Sequence, residues 1–388
     1  MPRNIVEGLF KILGTEKERE MFLNIFHSQS PENFAVLLLD PDVLKLNFEL
    51  FAWDLIFLAR LKLFPIILVN IKNKDEEDLI KRLIALVKKS DGSLKRIPLE
   101  TFKKSLNTKK LTDSVIKTIA SGFQPILEIK KCPAFKFNSL DLAKLLLEQL
   151  HPRKILVVSN SGGLKLKSNA LISYLEIDPD LERLNKNKEI THKVYSEIKK
   201  YKILLEQARA YEKKVHVQLV SSEGLLKELF TVQGSGTYLN LRNEVHFYNG
   251  YSKVDVLKLK KTIEKSFGFK LNENYTFAKN DIIFKNENSS AFAILKKVGS
   301  MYYLDKFVVD PGHQSEGWGN SLWREICSID KPFFWRTKKT NPLQAWYFKK
   351  ADGHQRVGDW YVFWIGVGES GRKKVIKFCE QRGDSFIR

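Results

Sequence analysis

Cysteine is scarce in this chain. Cys132, Cys327 and Cys379 lie far apart with no CxxC spacing, so neither a disulfide framework nor a zinc site is expected. Long apolar runs are missing too. No stretch approaches the ~20 residues of a membrane-spanning helix, so no membrane association is expected. Blocks of five or six like charges, zinc-finger spacing and RRM-type aromatic sequence are also absent, as are internal repeats. The net charge is nonetheless +20. Its lysines are spread through every segment, which argues against a nucleic-acid partner and describes a basic surface suited to an anionic small ligand. The opening MPRNIVEGLFKILGTEKEREMF mixes acidic residues with apolar ones at helical spacing, against a secretory signal or transit peptide. A reducing compartment follows: the cytoplasm, with a mitochondrial matrix equally compatible.

What is present is a chain of 388 residues, 43% apolar and 28% charged. That composition is globular, and the length exceeds the ~250–300 residues at which one core stops growing, so two domains are expected. Residues 1–30 suggest two short amphipathic helices, one carrying Ile5, Leu9, Ile12 and Leu13. The other starts at Thr15, with Glu18 at capping-box spacing.

From residue 31 to 248 strand and helix alternate. FAVLLLD, FPIILVNI, FQPILEI, KILVVSN and VHVQLVS read as buried strands. LIFLARLKL, DEEDLIKRLIALVKK, SVIKTIASG, NSLDLAKLLLEQL and the stretch from about Ile190 to Lys213 read as helices. The rhythm predicts an α/β domain with a parallel-type sheet between helices. The turn-rich NEVHFYNGYSK breaks it. Residues 254–388 then give an amphipathic helix, VDVLKLKKTIEKSFG, followed by IIFKN, AFAILKK, MYYLDKFVV, FFWRTKK and WYVFWIGV as strands. This predicts a second, mostly antiparallel α+β domain.

In order and wording, Gly122–Ile129, Asn138 with Asp141 and Ala143, and LLKELFTVQGSGT resemble the amino-acid kinase fold, specifically the kinase-like domain of N-acetylglutamate kinases and synthases. Active kinases of that fold use glycine-rich strand ends to admit phosphates. Here the first strand end reads LLLDPDVL and the second LVNIKNK, and side chains on such turns block backbone approach to phosphate. The resemblance therefore implies a regulatory rather than kinase domain, with L-arginine as effector near Glu228, Gly234 and Gly236. The alternative reading of these glycines, a plain turn before a strand, stays open.

In the second domain Gln314, Gly317 and Gly319 form a Q-x-x-G-x-G loop between a strand and a helix, the form with which GNAT acetyltransferases bind the pyrophosphate of acetyl-CoA. Unpaired N–H groups at a helix N-terminus suit an anion. YLDKFVV, this loop, then FWR, TNP and WYF resemble, in that order, the acetyltransferase domain of N-acetylglutamate synthases of the vertebrate and fungal type. The resemblance implies acetyl transfer from acetyl-CoA, with no metal, to the α-amine of L-glutamate in arginine biosynthesis. It also implies a homo-oligomer, commonly a tetramer. It carries Lys306, Arg336 and Asn341 to the glutamate pocket, Tyr347 to the departing thiolate, and backbone groups at Val308 and Val309 to the acetyl carbonyl and pantetheine. Two cations and an amide suit a dicarboxylate. Each residue also has a structural reading: Lys306 as an ordinary strand lysine, Arg336 as a partner of Asp305, Asn341 as a cap and Tyr347 as core. Where the family tends to carry a second arginine this chain has Lys338, and Glu316 and Trp318 add bulk and charge inside the loop. A catalytically silent arginine-binding regulator and a GNAT enzyme for another amine remain as alternatives.

Overall fold

The computed structural model describes residues 35–90, 93–99, 108–130, 138–152, 154–211, 215–230, 235–313, 317–341 and 343–387. The helices expected in residues 1–30 lie outside them, as do Cys132, Gly234, Gln314 and Glu316. The chain divides into two units after Arg242.

The first unit runs β1 (Val36–Leu39), α1 (Asp42–Leu46), α2 (Phe48–Arg60), β2 (Ile66–Ile71), α3 (Lys74–Lys89), β3 (Leu94–Pro98), α4 (Thr108–Ala120) and β4 (Gln124–Lys130). It continues with α5 (Ser139–Leu150), β5 (Lys154–Val158), β6 (Tyr174–Glu176), α6 (Ile177–Lys186), α7 (His192–Ala210), β7 (His216–Val220), α8 (Leu225–Phe230) and β8 (Thr237–Asn240). The sheet order is β3-β4-β2-β1-β5-β7-β8-β6, parallel except where β8 returns beside β7. Along β1, Val36 and Leu38 enter a core with α4–α7, while Leu37 and Leu39 enter another with α1–α3 and α8. Both faces are covered, which is why these strands read as unbroken apolar runs. Asn138 starts α5 with a reciprocal capping box through Asp141.

The second unit runs β9 (His246–Asn249), α9 (Val256–Phe267), β10 (Lys270–Leu271), β11 (Ile282–Lys285), β12 (Ala291–Val298), β13 (Met301–Val309), α10 (Trp318–Cys327) and β14 (Phe333–Lys338). It ends with α11 (Gln344–Lys350), β15 (Gly353–Val357), β16 (Trp360–Ile365), α12 (Glu369–Gln381) and β17 (Phe386–Ile387). Strands β15-β16-β14-β13-β12-β11-β9 form one sheet, antiparallel except for β13 beside β14. β9 pairs with β11, so residues up to 248, read from the sequence as first-domain, include a strand of the second sheet. Helices α10 and α11 cover one face of the sheet; α9 and α12 cover the other. Asp255 caps α9 through the Lys258 N–H, and Gly268 ends it at φ 72°.

Candidate active site

β13 and β14 are paired only at Tyr302–Phe333 and Tyr303–Phe334. Beyond that point β13 keeps β12 on one side and β14 keeps β16 on the other, and among the described residues nothing joins the two strands to each other. The sheet therefore splits, and the edge of β13 from Leu304 to Val309 offers backbone N–H and C=O groups that a ladder would otherwise consume. Val308 and Val309 lie on that edge. Past it, a 3-10 turn at Pro311–His313 leads towards α10, whose N-cap is Gly317 at φ 76° with no side-chain cap. A side chain at Gly317 would strain this left-handed position, and a helix start is where an anion is well received. At Gly319 a Cβ would meet, among the described residues, Phe307 at 3.9 Å.

The register of β13 slips once. Ile294 faces Lys306 and Leu295 faces Leu304, leaving Asp305 as the extra residue of a β-bulge. Leu304 and Phe307 still pack on the α10–α11 side, while Lys306 is 3% exposed on the opposite side. Its Nζ donates to Asp305 Oδ2 at 3.0 Å and to Ser385 Oγ at 3.1 Å, and it stands 4.5 Å from the centre of the Tyr275 ring. Burial lowers the Lys306 pKa from the ordinary lysine value, against the opposing pull of Asp305.

Arg336 projects from β14 to the same side. Its guanidinium donates to the carbonyls of Cys379 (2.7 Å), Arg382 (2.6 Å) and Gly383 (2.6 Å), and its face lies 4.2 Å from the Trp360 ring. Two of its five N–H groups are outside those bonds. The ion pair with Asp305 weighed for Arg336 is made instead by Arg382, at 2.5 Å. Asn341 bridges the end of β14 to the approach of α11: its amide donates to Thr337 Oγ1 at 2.6 Å and its carbonyl accepts from the Leu343 N–H at 2.9 Å. Tyr347 is 5% exposed on the other side of the sheet, among Trp323, Trp335, Trp346 and Phe363. Burial raises its phenol pKa well above the ordinary range. Lys306 and Arg336 thus share one face at the split and Tyr347 occupies the other.

The sequence reading missed Arg382, Tyr275 and Ser385. All three touch Asp305 or Lys306, yet Arg382 and Ser385 are 77 and 79 residues away along the chain from their partners. No local spacing could have carried that signal. Neither described cysteine suggests an acyl carrier: Cys379 is buried and pushed up to about 12, and burial also raises Cys327.

In the first unit, Glu228 is 4% exposed and its Oε2 accepts from the N–H groups of Ser235 (2.7 Å) and Gly236 (3.2 Å). A Cβ on Gly236 would lie 1.8 Å from the Leu219 carbonyl oxygen, so close backbone approach requires glycine there. At the end of β2, where the kinase fold receives phosphate, the helix start is already filled. Asn73 caps α3 through the Glu76 N–H, and Glu76 Oε2 accepts from Lys72 N–H at 2.7 Å. A buried carboxylate in that place opposes a phosphate by charge.

Residues 243–382 match the family model described as the N-acetyltransferase of N-acetylglutamate synthase. The mitochondrial N-acetylglutamate synthase of Danio rerio is 26% identical over 431 residues, covering 99% of this chain and 81% of that protein. The Mus musculus counterpart is 30% identical over 271 residues, 68% of this chain and 51% of that protein. Among solved structures, N-acetylglutamate synthase from Neisseria gonorrhoeae complexed with coenzyme A and N-acetyl-glutamate aligns over 96% of this chain and 98% of its own, with a TM-score of 0.50 at 14% identity. The same enzyme with coenzyme A and L-arginine gives 0.51 at 13%, over 90% and 98%. At that identity the likeness is one of fold. No described helix is long and apolar enough to cross a membrane.

Proposed function

For a chain that belongs to the N-acetylglutamate synthase family, we propose the family's reaction: transfer of acetyl from acetyl-CoA to the α-amine of L-glutamate, giving N-acetyl-L-glutamate and CoA as the entry step of arginine biosynthesis. The observation that carries the reading is the split between β13 and β14, flanked by the α10 start at Gly317 and lined on one face by Lys306 and Arg336. CoA enters the split with its pantetheine along Val308 and Val309, and the pyrophosphate meets Gly317, Gly319 and the loop of Gln314. Glutamate is held by Lys306, Arg336 and Asn341. The neutral amine attacks the thioester carbonyl and the β13 edge donates to the oxyanion; as the C–S bond breaks, the new amide nitrogen gives up its proton to solvent and the departing thiolate takes one up, with Tyr347 as its acid or orienting group. Transfer is direct, because neither described cysteine has a thiol suited to carry the acetyl group.

The kinase-like unit is proposed as regulatory. The filled helix start at β2 supports this, and Glu228 with Gly236 and Gly234 forms the proposed arginine-responsive element. The assembly is proposed as a homo-oligomer, most simply a tetramer, in the cytoplasm or a mitochondrial matrix.

Thiol release with purified protein, acetyl-CoA and glutamate tests the reaction. Lys306→Ala is expected to lower kcat/KM for glutamate by about 100-fold or more, the loss of one charged contact to a carboxylate. Absence of thiol release, or a Lys306→Ala variant equal to wild type, overturns the assignment. Preference for another amine in a substrate panel would reassign the acceptor. Stabilisation by arginine without any turnover would leave a pure regulator.

A further inference from the structure

Asp305 is one of the most enclosed carboxylates of the second unit, its side chain 1% exposed, and it sits at the bulge where the strands begin to part. Three groups converge on it from three elements. Lys306 Nζ reaches Oδ2 at 3.0 Å from its own strand, the Tyr275 hydroxyl donates to Oδ2 at 2.7 Å from the segment before β11, and Arg382 reaches Oδ1 at 2.5 Å from the end of α12. Neither cation is simply solvated. Lys306 is buried and lies over the Tyr275 ring, and Arg382 lies 4.7 Å over the Tyr303 ring with its Nε buried and, among the described residues, without a hydrogen-bond partner. Lys296 of β12 completes the surroundings: it pairs with Asp281 at 3.0 Å and lies 5.3 Å from the Tyr275 ring. Arg382 also ties this cluster to Arg336, which donates to its carbonyl.

We propose that Asp305 is the positioning residue of the substrate site, holding Lys306 charged and aimed while Arg382 competes with Lys306 for the same carboxylate. The bulge is what makes this geometry available. An unbroken alternation would send Asp305 and Lys306 to opposite faces, whereas the extra residue lets the carboxylate meet a neighbouring side chain that a regular strand would turn away. A buried lysine tends to lose its proton, and each charge around it moves that tendency in a defined direction. Asp305 favours the charged form, and Arg382 and Lys296 oppose it. Asp305 itself stays ionised, held down to about 2: burial raises it, but Lys306, Arg382 and the hydrogen bond from Tyr275 together outweigh burial. The inference deepens the proposed reaction and rests on Lys306 being a ligand of glutamate.

The test is the pH dependence of KM for glutamate in the full-length protein, each variant being divided by wild type so that titration of the substrate amine cancels. KM in the wild type rises with pH as Lys306 loses its proton. Asp305→Asn removes the favouring charge and is expected to move that rise to lower pH by at least about one unit, so that the variant approaches wild type in acid and departs about tenfold once the pH is past the wild type's own rise. Arg382→Met removes an opposing charge and is expected to move the rise the other way, to higher pH, whatever it does to KM in acid. A merely structural role lowers activity by a pH-independent factor and does not give opposite signs. Should Asp305→Asn not fold, the Arg382→Met shift alone decides, because no change or a downward shift contradicts the competition. A Lys306→Met variant separates the two levels. If its glutamate KM equals wild type at every pH, the substrate assignment of Lys306 fails. If it is raised while the Asp305 and Arg382 ratios stay flat, the positioning role fails.

Discussion

Gly236 shows how one residue type can be forced by its neighbour's backbone. A methyl group there would stand 1.8 Å from the Leu219 carbonyl oxygen, a distance that no side-chain adjustment relieves. Gly236→Ala is expected to destabilise the protein by at least about 2 kcal/mol in chemical denaturation. Glycine in LLKELFTVQGSGT therefore has a packing cause, which neither needs nor opposes an effector nearby. Arg336 invites a similar caution. A guanidinium that donates three hydrogen bonds to the carbonyls at the end of α12 also secures that helix, so Arg336→Lys should cost stability as well as substrate affinity. Unchanged thermal stability in Arg336→Lys would mean that the three bonds are dispensable to the fold.

At the level of elements, the start of α10 is the place to test the proposed CoA site apart from the glutamate site. Gly317 adopts φ 76°, which an alanine reaches only with strain of about 1 kcal/mol or more. Gly317→Ala is expected to raise KM for acetyl-CoA several-fold while leaving KM for glutamate within about twofold, as steady-state kinetics with each substrate varied would show. Elements also explain what could be read from the chain and what could not. The buried strands β1, β2, β4, β5 and β7 were legible because covering both faces leaves apolar side chains at nearly every position. β3 (LKRIP) and β15 (GHQRV) were not, since each is the outer strand of its sheet and carries charge where a central strand would carry Val or Ile. β9 (HFYN), also an edge, was hidden inside a turn-rich stretch and read as the boundary itself. The motif words marked Lys306, Arg336 and the glycine loop, because those residues lie on or next to strands with a clear period. Tyr275, Arg382 and Ser385 come from segments with no such period, and only the folded sheet brings them to Asp305.

Across the whole molecule the two units carry buried carboxylates that are perturbed in opposite directions. In the first unit Asp54 is 5% exposed on α2 with Oδ2 unpartnered among the described residues, and burial, with Glu223 adding to it, raises its pKa to about 8. An acid whose folded pKa is raised stabilises the fold fully below its unfolded value and loses that contribution as pH climbs to the folded value. The first unit should therefore lose stability between about pH 4 and pH 8. Lys154, depressed to about 8 by burial, works the other way, restoring stability only as pH rises from there towards the ordinary lysine value. In the second unit Asp305 is depressed to about 2, so its contribution is complete above the ordinary carboxylate range and is lost only in acid. Scanning calorimetry of the full chain from pH 5 to 8 should then show one transition falling in temperature while the other holds. Asp54→Asn should flatten the falling one and raise it near neutrality by the equivalent of a few kcal/mol, since each pH unit between the folded and unfolded pKa is worth about 1.4 kcal/mol. If both transitions fall together, or if Asp54→Asn leaves the slope unchanged, then Asp54 is ionised in the fold against the repulsion of Glu223, and a hydrogen-bond donor such as the Ser222 hydroxyl must satisfy it.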